Sequence, residues 1–212
     1  MKIIKLIITL VFISGFISCY DGVIDTYDDS IAYNLRDRGP AGGWIFYINP
    51  NYKKDGWRYL EAATEDMNGG SSVTWSSNTS NYANGISALP GDIGKGKSNT
   101  DAIILQNNGG QSAAKVCRDY RGGGYSDWFL PSTNELDMMC WNLRGYRNSA
   151  INPEVPDVSG GGVGAFQDIG QYWSSTEDPA NSAQACDYFF GDGHQSVTSK
   201  ITGIWVRAIR AF

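Results

Sequence analysis

What most constrains this chain is how it begins. Lys2 and Lys5 supply a short basic start, residues 6–17 are apolar except for Thr9, Ser14 and Gly15, and the small Ser18 precedes Cys19. A charged start, an apolar middle and a small residue at the cut make a secretory leader. The apolar run is shorter than the roughly 20 residues a helix needs to cross a bilayer, and no other stretch qualifies. Residues 1–18 are therefore read as a signal peptide, and the remainder is expected to fold outside the cytoplasm.

The tetrapeptide Phe16-Ile17-Ser18-Cys19 also resembles a bacterial lipobox with a loosened first position. That pattern implies cleavage before Cys19 and acylation, palmitate included, of its thiol and its new amino group. Several acyl chains anchor a protein stably where one gives only marginal binding. The expected location is the bacterial cell envelope, lipid-anchored and extracytoplasmic at the outer membrane, with the membrane itself as one partner.

The chain carries 17 Lys+Arg against 22 Asp+Glu, a net charge of −5. Losing Lys2 and Lys5 with the leader leaves 15 against 22, or −7. Such a protein has no general attraction for nucleic acid, and no nucleic-acid partner is expected. With Cys19 assigned to lipid, Cys117, Cys140 and Cys186 remain. Three cysteines allow one disulfide and one thiol, or all are small buried hydrophobes; spacing does not decide. There is no CxxC pair and His194 is the single histidine, so no metal site and no other cofactor is expected.

Residues 19–38 read as an acidic tether, with Asp21, Asp25, Asp28, Asp29 and Asp37 and no sustained hydrophobic period. Residues 39–212 read as one domain of ordinary size. The chain's 26 glycines and 13% aromatic content describe a loop-rich fold with large apolar anchors. Gly42-Gly43-Trp44-Ile45-Phe46-Tyr47-Ile48 is a short apolar strand, and the alternating Trp57-Arg58-Tyr59-Leu60-Glu61-Ala62 is its hairpin partner. Residues 69–96 are irregular. One helix is predicted to start at Asn99-Thr100-Asp101 and to continue in helical style through 112–120. A second opens at Pro131, where Ser132 and Glu135 have capping-box spacing. Strands are predicted over 171–175, 183–190, 195–199 and 204–211, with a turn at Gly191-Asp192-Gly193. Strands, then two helices, then a mostly antiparallel set of strands make an α+β fold.

Residues 91–98, Gly91-Asp92-Ile93-Gly94-Lys95-Gly96-Lys97-Ser98, match the P-loop pattern letter for letter. A P-loop must follow a buried strand, and Pro90 argues against one here. The stretch is read as a surface turn that exposes Lys97 and binds no nucleotide. There is no G-x-S-x-G, nothing local places a cysteine beside His194, and turn and capping roles explain Asp127 and Glu135. No catalytic residue is assigned, and the chain is expected not to be an enzyme. Trp128, Leu130 and Trp173 are predicted to be buried.

Several stretches then act together. They are Gly42-Gly43-Trp44-Ile45-Phe46-Tyr47, Gly56-Trp57-Arg58-Tyr59-Leu60-Glu61-Ala62-Ala63, the Gly-Lys-rich turn before Asn99-Thr100, Asp127-Trp128-Phe129-Leu130-Pro131-Ser132, Tyr172-Trp173-Ser174-Ser175-Thr176-Glu177, and the ending Trp205-Val206-Arg207-Ala208-Ile209-Arg210-Ala211-Phe212. Over 39–212 they resemble the domain that closes the Legionella collagen-like adhesin, a bacterial surface family. The resemblance implies a single C-type-lectin-like domain and, from the adhesin, binding of sulfated glycosaminoglycans. It also implies that the Gly-Lys-rich turn binds no nucleotide. The chain departs from it in lacking a collagen-like stalk, in placing Ala208 where some relatives have a cysteine, and in lacking the Glu-Pro-Asn and Trp-Asn-Asp calcium signatures of animal lectins.

The function expected is adhesin-like recognition of a glycan or host-matrix protein. The alternatives are an enzyme on a formylglycine-generating-enzyme-like fold and a structural envelope protein with no small ligand. Lectin-like folds build their ligand face from long loops and late strands, which here offer Trp173, Glu177, Asp187, Tyr188, Asp192 and His194.

Overall fold

The computed structural model describes residues 32–144, 162–167 and 170–212; the leader, Cys19 and most of the expected tether lie outside the described residues. In chain order come β1 (Trp44–Ile48), α1 (Tyr52–Asp55), β2 (Tyr59–Ala62), β3 (Val73–Thr74), α2 (Gly96–Gln106), α3 (Ala113–Asp119), α4 (Thr133–Met139), β4 (Gln171–Glu177), β5 (Gln184–Phe189), β6 (His194–Ser199), β7 (Gly203–Ile204) and β8 (Ile209–Ala211). The strands form three small antiparallel sheets, β1-β2-β8, β3-β7 and β4-β5-β6. The fold is α+β, as the order of elements in the sequence implies.

The hairpin of β1 and β2 forms as predicted, with α1 inside its loop. A register shift between Ile45 and Tyr47 makes Phe46 an extra residue on β1. A bulge suspends strict alternation, and both Ile45 and Phe46 turn into the core. The domain begins before residue 39. Arg36 N donates to Ile45 O at 2.8 Å and Ile45 N to Asp37 O at 3.0 Å. Tyr33 packs edge-on against Tyr59 and Phe212 with ring centroids 5.3 and 5.7 Å away. The expected tether boundary at 38 is thus corrected: Tyr33–Phe212 is one compact unit. Backbone bonds, the Tyr33 ring and the side chains of Arg36, which donates to Asn142 O at 2.7 Å, and Arg38, which lies 3.5 Å over the Trp44 ring, hold 33–38 in place, and none of these leaves a hydrophobic period to read.

The first predicted helix is two. α2 starts at Gly96, ahead of Asn99, whose side-chain amide donates instead to Pro90 O at 2.8 Å and Ser175 Oγ at 3.2 Å. Asn108 and Gly109 then take left-handed φ of 49° and 73°, a conformation that ends helices. Ser112 restarts the chain by capping α3, accepting from Lys115 N at 3.1 Å. The capping box of Ser132 and Glu135 is present on α4, which runs on into a π-helical turn at Cys140–Arg144.

The predicted closing strand is also two. β7 pairs with β3 and β8 with β2, and between them Val206, Arg207 and Ala208 enter the interior. Arg207 is matched there by Asp66 at 2.8 Å and by the carbonyls of Ala63 and Gly164 at 3.1 and 2.6 Å. Trp75, Trp128, Trp173, Ile103 and Leu130 share one apolar cluster, and Phe46, Leu60, Leu136, Tyr172 and Phe190 a second. Trp128, Leu130 and Trp173 are buried as predicted. Cys117, Cys140 and Cys186 are buried free thiols, which resolves the open choice in favour of small core hydrophobes. Among the described residues no helix is long and apolar enough to cross a membrane.

Candidate ligand-binding surface

Three buried glutamates hold the long loops. Glu61 accepts from Gly43 N at 2.7 Å, Ala41 N at 3.1 Å and Arg210 Nη1 at 3.2 Å. Glu135 accepts from Gly94 N at 2.8 Å and Ser132 N at 2.7 Å. Glu177 accepts from Ala83 N at 3.0 Å and Leu89 N at 3.1 Å, and pairs with Lys200. A loop amide withdrawn from water must find an acceptor, and a carboxylate with two oxygens serves several at once. Asp127 extends the Glu61 group by receiving Arg210 through both oxygens, at 2.9 and 3.0 Å.

This explains the P-loop look-alike. Its Gly94 and Gly96 amides are bonded to the carboxylate of Glu135 rather than lying open. A Cβ on Gly96 would come within 2.3 Å of Glu135 Oε2 and 2.8 Å of Leu130 O, so only glycine lets the loop close on that carboxylate. Burial pushes the Glu135 carboxyl up to about 7, against hydrogen bonds from Ser132, Gly94 and Gly96 that favour the charged form. Lys97 is exposed, in the first turn of α2 and not on a loop turn.

The six residues expected to form a ligand face do not form one. Trp173 is fully buried and its indole donates to Val73 O at 2.9 Å. Glu177 is the buried partner of Lys200. Asp187 is fully buried, accepting from Ser196 Oγ at 2.5 Å and Gln171 Nε2 at 3.3 Å. Tyr188 is buried and its hydroxyl donates to Asp137. Only Asp192 and His194 are exposed, paired with each other beside the β5–β6 turn. β5 is the central strand of its sheet and is covered on both faces, so Ala185, Cys186, Asp187 and Tyr188 are all buried. A polar residue there belongs to the interior. The thiols match that setting: burial pushes Cys117 and Cys186 up and Cys140 up to about 12.

A different surface comes together instead. Residues 77–80 and 106–108 line an open hollow of about 400 Å³. Trp75 N and Ser76 N donate to Lys200 O at 2.9 and 3.3 Å and fix one wall. Ser76 Oγ donates to Asn107 Oδ1 at 2.7 Å, and Asn78 N donates to Ser76 Oγ at 2.9 Å. Gln106 Nε2 donates to Asn81 O and Tyr82 O, both at 3.0 Å. The lining is entirely hydroxyl and amide side chains. Its signal in the sequence is the polar run Ser76-Ser77-Asn78-Thr79-Ser80-Asn81 and the triplet Gln106-Asn107-Asn108, which pattern reading leaves as loop and helix end. Residues 65–69 with Gln111, Val116, Asp119 and Tyr120 line a second hollow of about 480 Å³, more acidic and partly apolar. Among the described residues no three His, Cys, Asp or Glu side chains gather as a metal site would need.

A family model described as the Lcl C-terminal domain matches residues 67–210. The match takes in the stretches around 94–100, 127–135 and 172–177 but not β1 and β2, which complete the sheet of β8. Among solved structures, a fimbrial protein from Bacteroides ovatus ATCC 8483 has a similar fold, with a TM-score of 0.51 and 11% identity. The similarity covers 84% of this chain and 46% of that one, so this chain spans less than half the length of the fimbrial protein. No curated protein matches the chain.

Proposed function

The chain belongs to the Lcl C-terminal domain family, and from that premise we propose that it is a lipid-anchored recognition domain of the bacterial cell envelope that binds a glycan or a host-matrix protein and catalyses nothing. The observation that carries this reading is the open hollow at 77–80 and 106–108. It presents hydrogen-bonding groups held from behind, and its lining residues include no cysteine, no histidine and no charged group that could activate the hydroxyls of Ser77, Thr79 and Ser80. The carboxylates that would suit general acid–base work, Glu61, Glu135 and Glu177, are enclosed and bonded to loop amides. Raised thiols are poor nucleophiles, because the thiolate is the reactive form. The anchor rests on the lipobox-like residues 16–19, and the similarity to a fimbrial protein is in keeping with a surface role.

The test is adhesion. Cells displaying the full chain are compared with cells lacking it on immobilised glycans and matrix proteins. Chain-dependent attachment is expected on at least one of them. Attachment to none overturns the reading in favour of a structural envelope role.

A further inference from the structure

One sheet has an open edge. β6 ends the sheet β4-β5-β6 and pairs with β5 alone. Its register against β5 is unbroken, from Gln184 opposite Ser199 to Phe189 opposite His194. Lys200 N donates to Ala183 O at 3.0 Å, which fixes the phase of the ladder. Opposed residues of an antiparallel pair alternate between bonded and non-bonded. Thr198, Ser196 and His194 therefore turn their main-chain groups toward β5, and Ser199, Val197 and Gln195 turn theirs away. Among the described residues nothing bonds to the outward N–H and C=O of Gln195 and Val197, and Ser199 O meets Thr202 N at 2.9 Å.

Such an edge is a template for another strand, and proteins blunt theirs with charge, proline, a bulge or a covering element. β6 reads His194-Gln195-Ser196-Val197-Thr198-Ser199, with no Lys, Arg, Asp, Glu or Pro and no bulge. At its middle Val197 is 46% exposed, and Ile201, just past its end, is 63% exposed. We infer that β6 pairs antiparallel with β6 of a second copy of this chain, about a two-fold axis at Val197. The two Val197 residues then bond to each other through both main-chain groups, and Gln195 to Ser199 on either side, about six hydrogen bonds in all. The contact is isologous, each copy offering the same patch.

Charge selects this partner. The chain carries −5, so two copies repel each other over most approaches and meet best across a neutral strand. Antiparallel pairing also sets the two exposed Asp192 carboxylates at opposite ends of the joined strands, roughly 30 Å apart. It covers the exposed Val197 with its counterpart. A segment of a host-matrix protein is the other strand such an edge accepts, but β6 offers it no charged side chain with which to select a sequence.

The full chain, purified in detergent, is followed by sedimentation velocity over a range of protein concentrations, beside Val197→Pro and Val197→Lys. The Val197 N–H points outward, so proline removes no bond within the sheet. Lysine sets like charges opposite each other at the axis, which is destabilising, and keeps the test open where the proline variant does not fold. Thermal melting establishes that a variant is folded. Val197→Cys is treated with a short bis-maleimide, from which the buried Cys117, Cys140 and Cys186 are shielded. The expected result is a concentration-dependent dimer in the wild type, self-association at least tenfold weaker in each folded variant, and cross-linked dimer from Val197→Cys. A wild type that stays monomeric, a dimer that survives in a folded variant, or Val197→Cys left uncrosslinked overturns the inference and leaves the recognition reading standing. So does matrix-protein binding by a monomeric wild type that folded Val197→Pro abolishes, which assigns the edge to a foreign strand.

Discussion

Lys200 and Glu177 form an ion pair in which both side chains are fully withdrawn from solvent. The Lys200 ammonium also lies 4.4 Å from the centre of a Trp75 ring. The pair joins the residue after β6 to the last residue of β4 and, through Glu177, to the amides of Ala83 and Leu89.

Removing one member leaves a buried charge alone. Lys200→Met is expected to cost about 3–5 kcal/mol in urea unfolding, the usual effect of breaking a buried pair from one side. The double variant Lys200→Met/Glu177→Gln removes both charges and is expected to recover most of that loss. A double variant no more stable than Lys200→Met shows that packing against Trp75, and not charge, sets the cost.

Glu135 makes stability depend on pH. Its folded carboxyl is pushed up to about 7 from an ordinary value of 4.5. Between those values the folded domain binds a proton that the unfolded chain does not, so stability rises as pH falls. The contribution is fully present below pH 4.5 and lost as pH rises through about 7, at most about 3 kcal/mol by linkage. Melting curves from pH 4.5 to 8 are expected to show this slope in the wild type and a flatter one in Glu135→Gln. Equal slopes refute the assignment.

Gly96 and Lys97 separate the structural and phosphate-binding readings of the P-loop look-alike. Gly96→Ala drives a methyl group into Glu135 and Leu130 O and is expected to cost about 1–3 kcal/mol, as overpacking does. Lys97→Ala alters an exposed side chain and is expected to stay within about 0.5 kcal/mol. ATP is expected to shift the melting temperature of neither variant nor of the wild type. An ATP-dependent shift in the wild type that disappears in Lys97→Ala reverses the assignment.

The proposed anchor rests on Cys19. Cys19→Ala is expected to leave the membrane fraction or to accumulate as an unprocessed precursor. Intact mass of the wild-type chain is expected to show acylation and a start at Cys19; a mature protein that still begins at Met1 overturns the lipoprotein proposal.

Local signals in the sequence proved readable and distant ones did not. Ser132 and Glu135 lie three residues apart and announce their capping box directly. The hairpin of β1 and β2 follows from alternation and a turn. Glu177, by contrast, meets Ala83 across 94 residues, and Arg207 meets Asp66 across 141; nothing local marks either as an interior partner. Asp187 and Tyr188 read as surface from sequence because a polar, aromatic, Gly-flanked segment has the composition of a loop, while their burial depends on β5 lying between two other strands. The hollow joins a Ser/Asn stretch to the end of a helix, and only the folded chain brings them side by side.

Glu135 and Glu177 lie within the residues that the family model matches and Glu61 lies before them, and none of the three lines the hollow at 77–80 and 106–108. In this chain the carboxylates that hold the loops are therefore separate from the residues proposed to meet a ligand. The lining of the hollow can thus change at these seven positions while the carboxylates that shape the loops stay as they are.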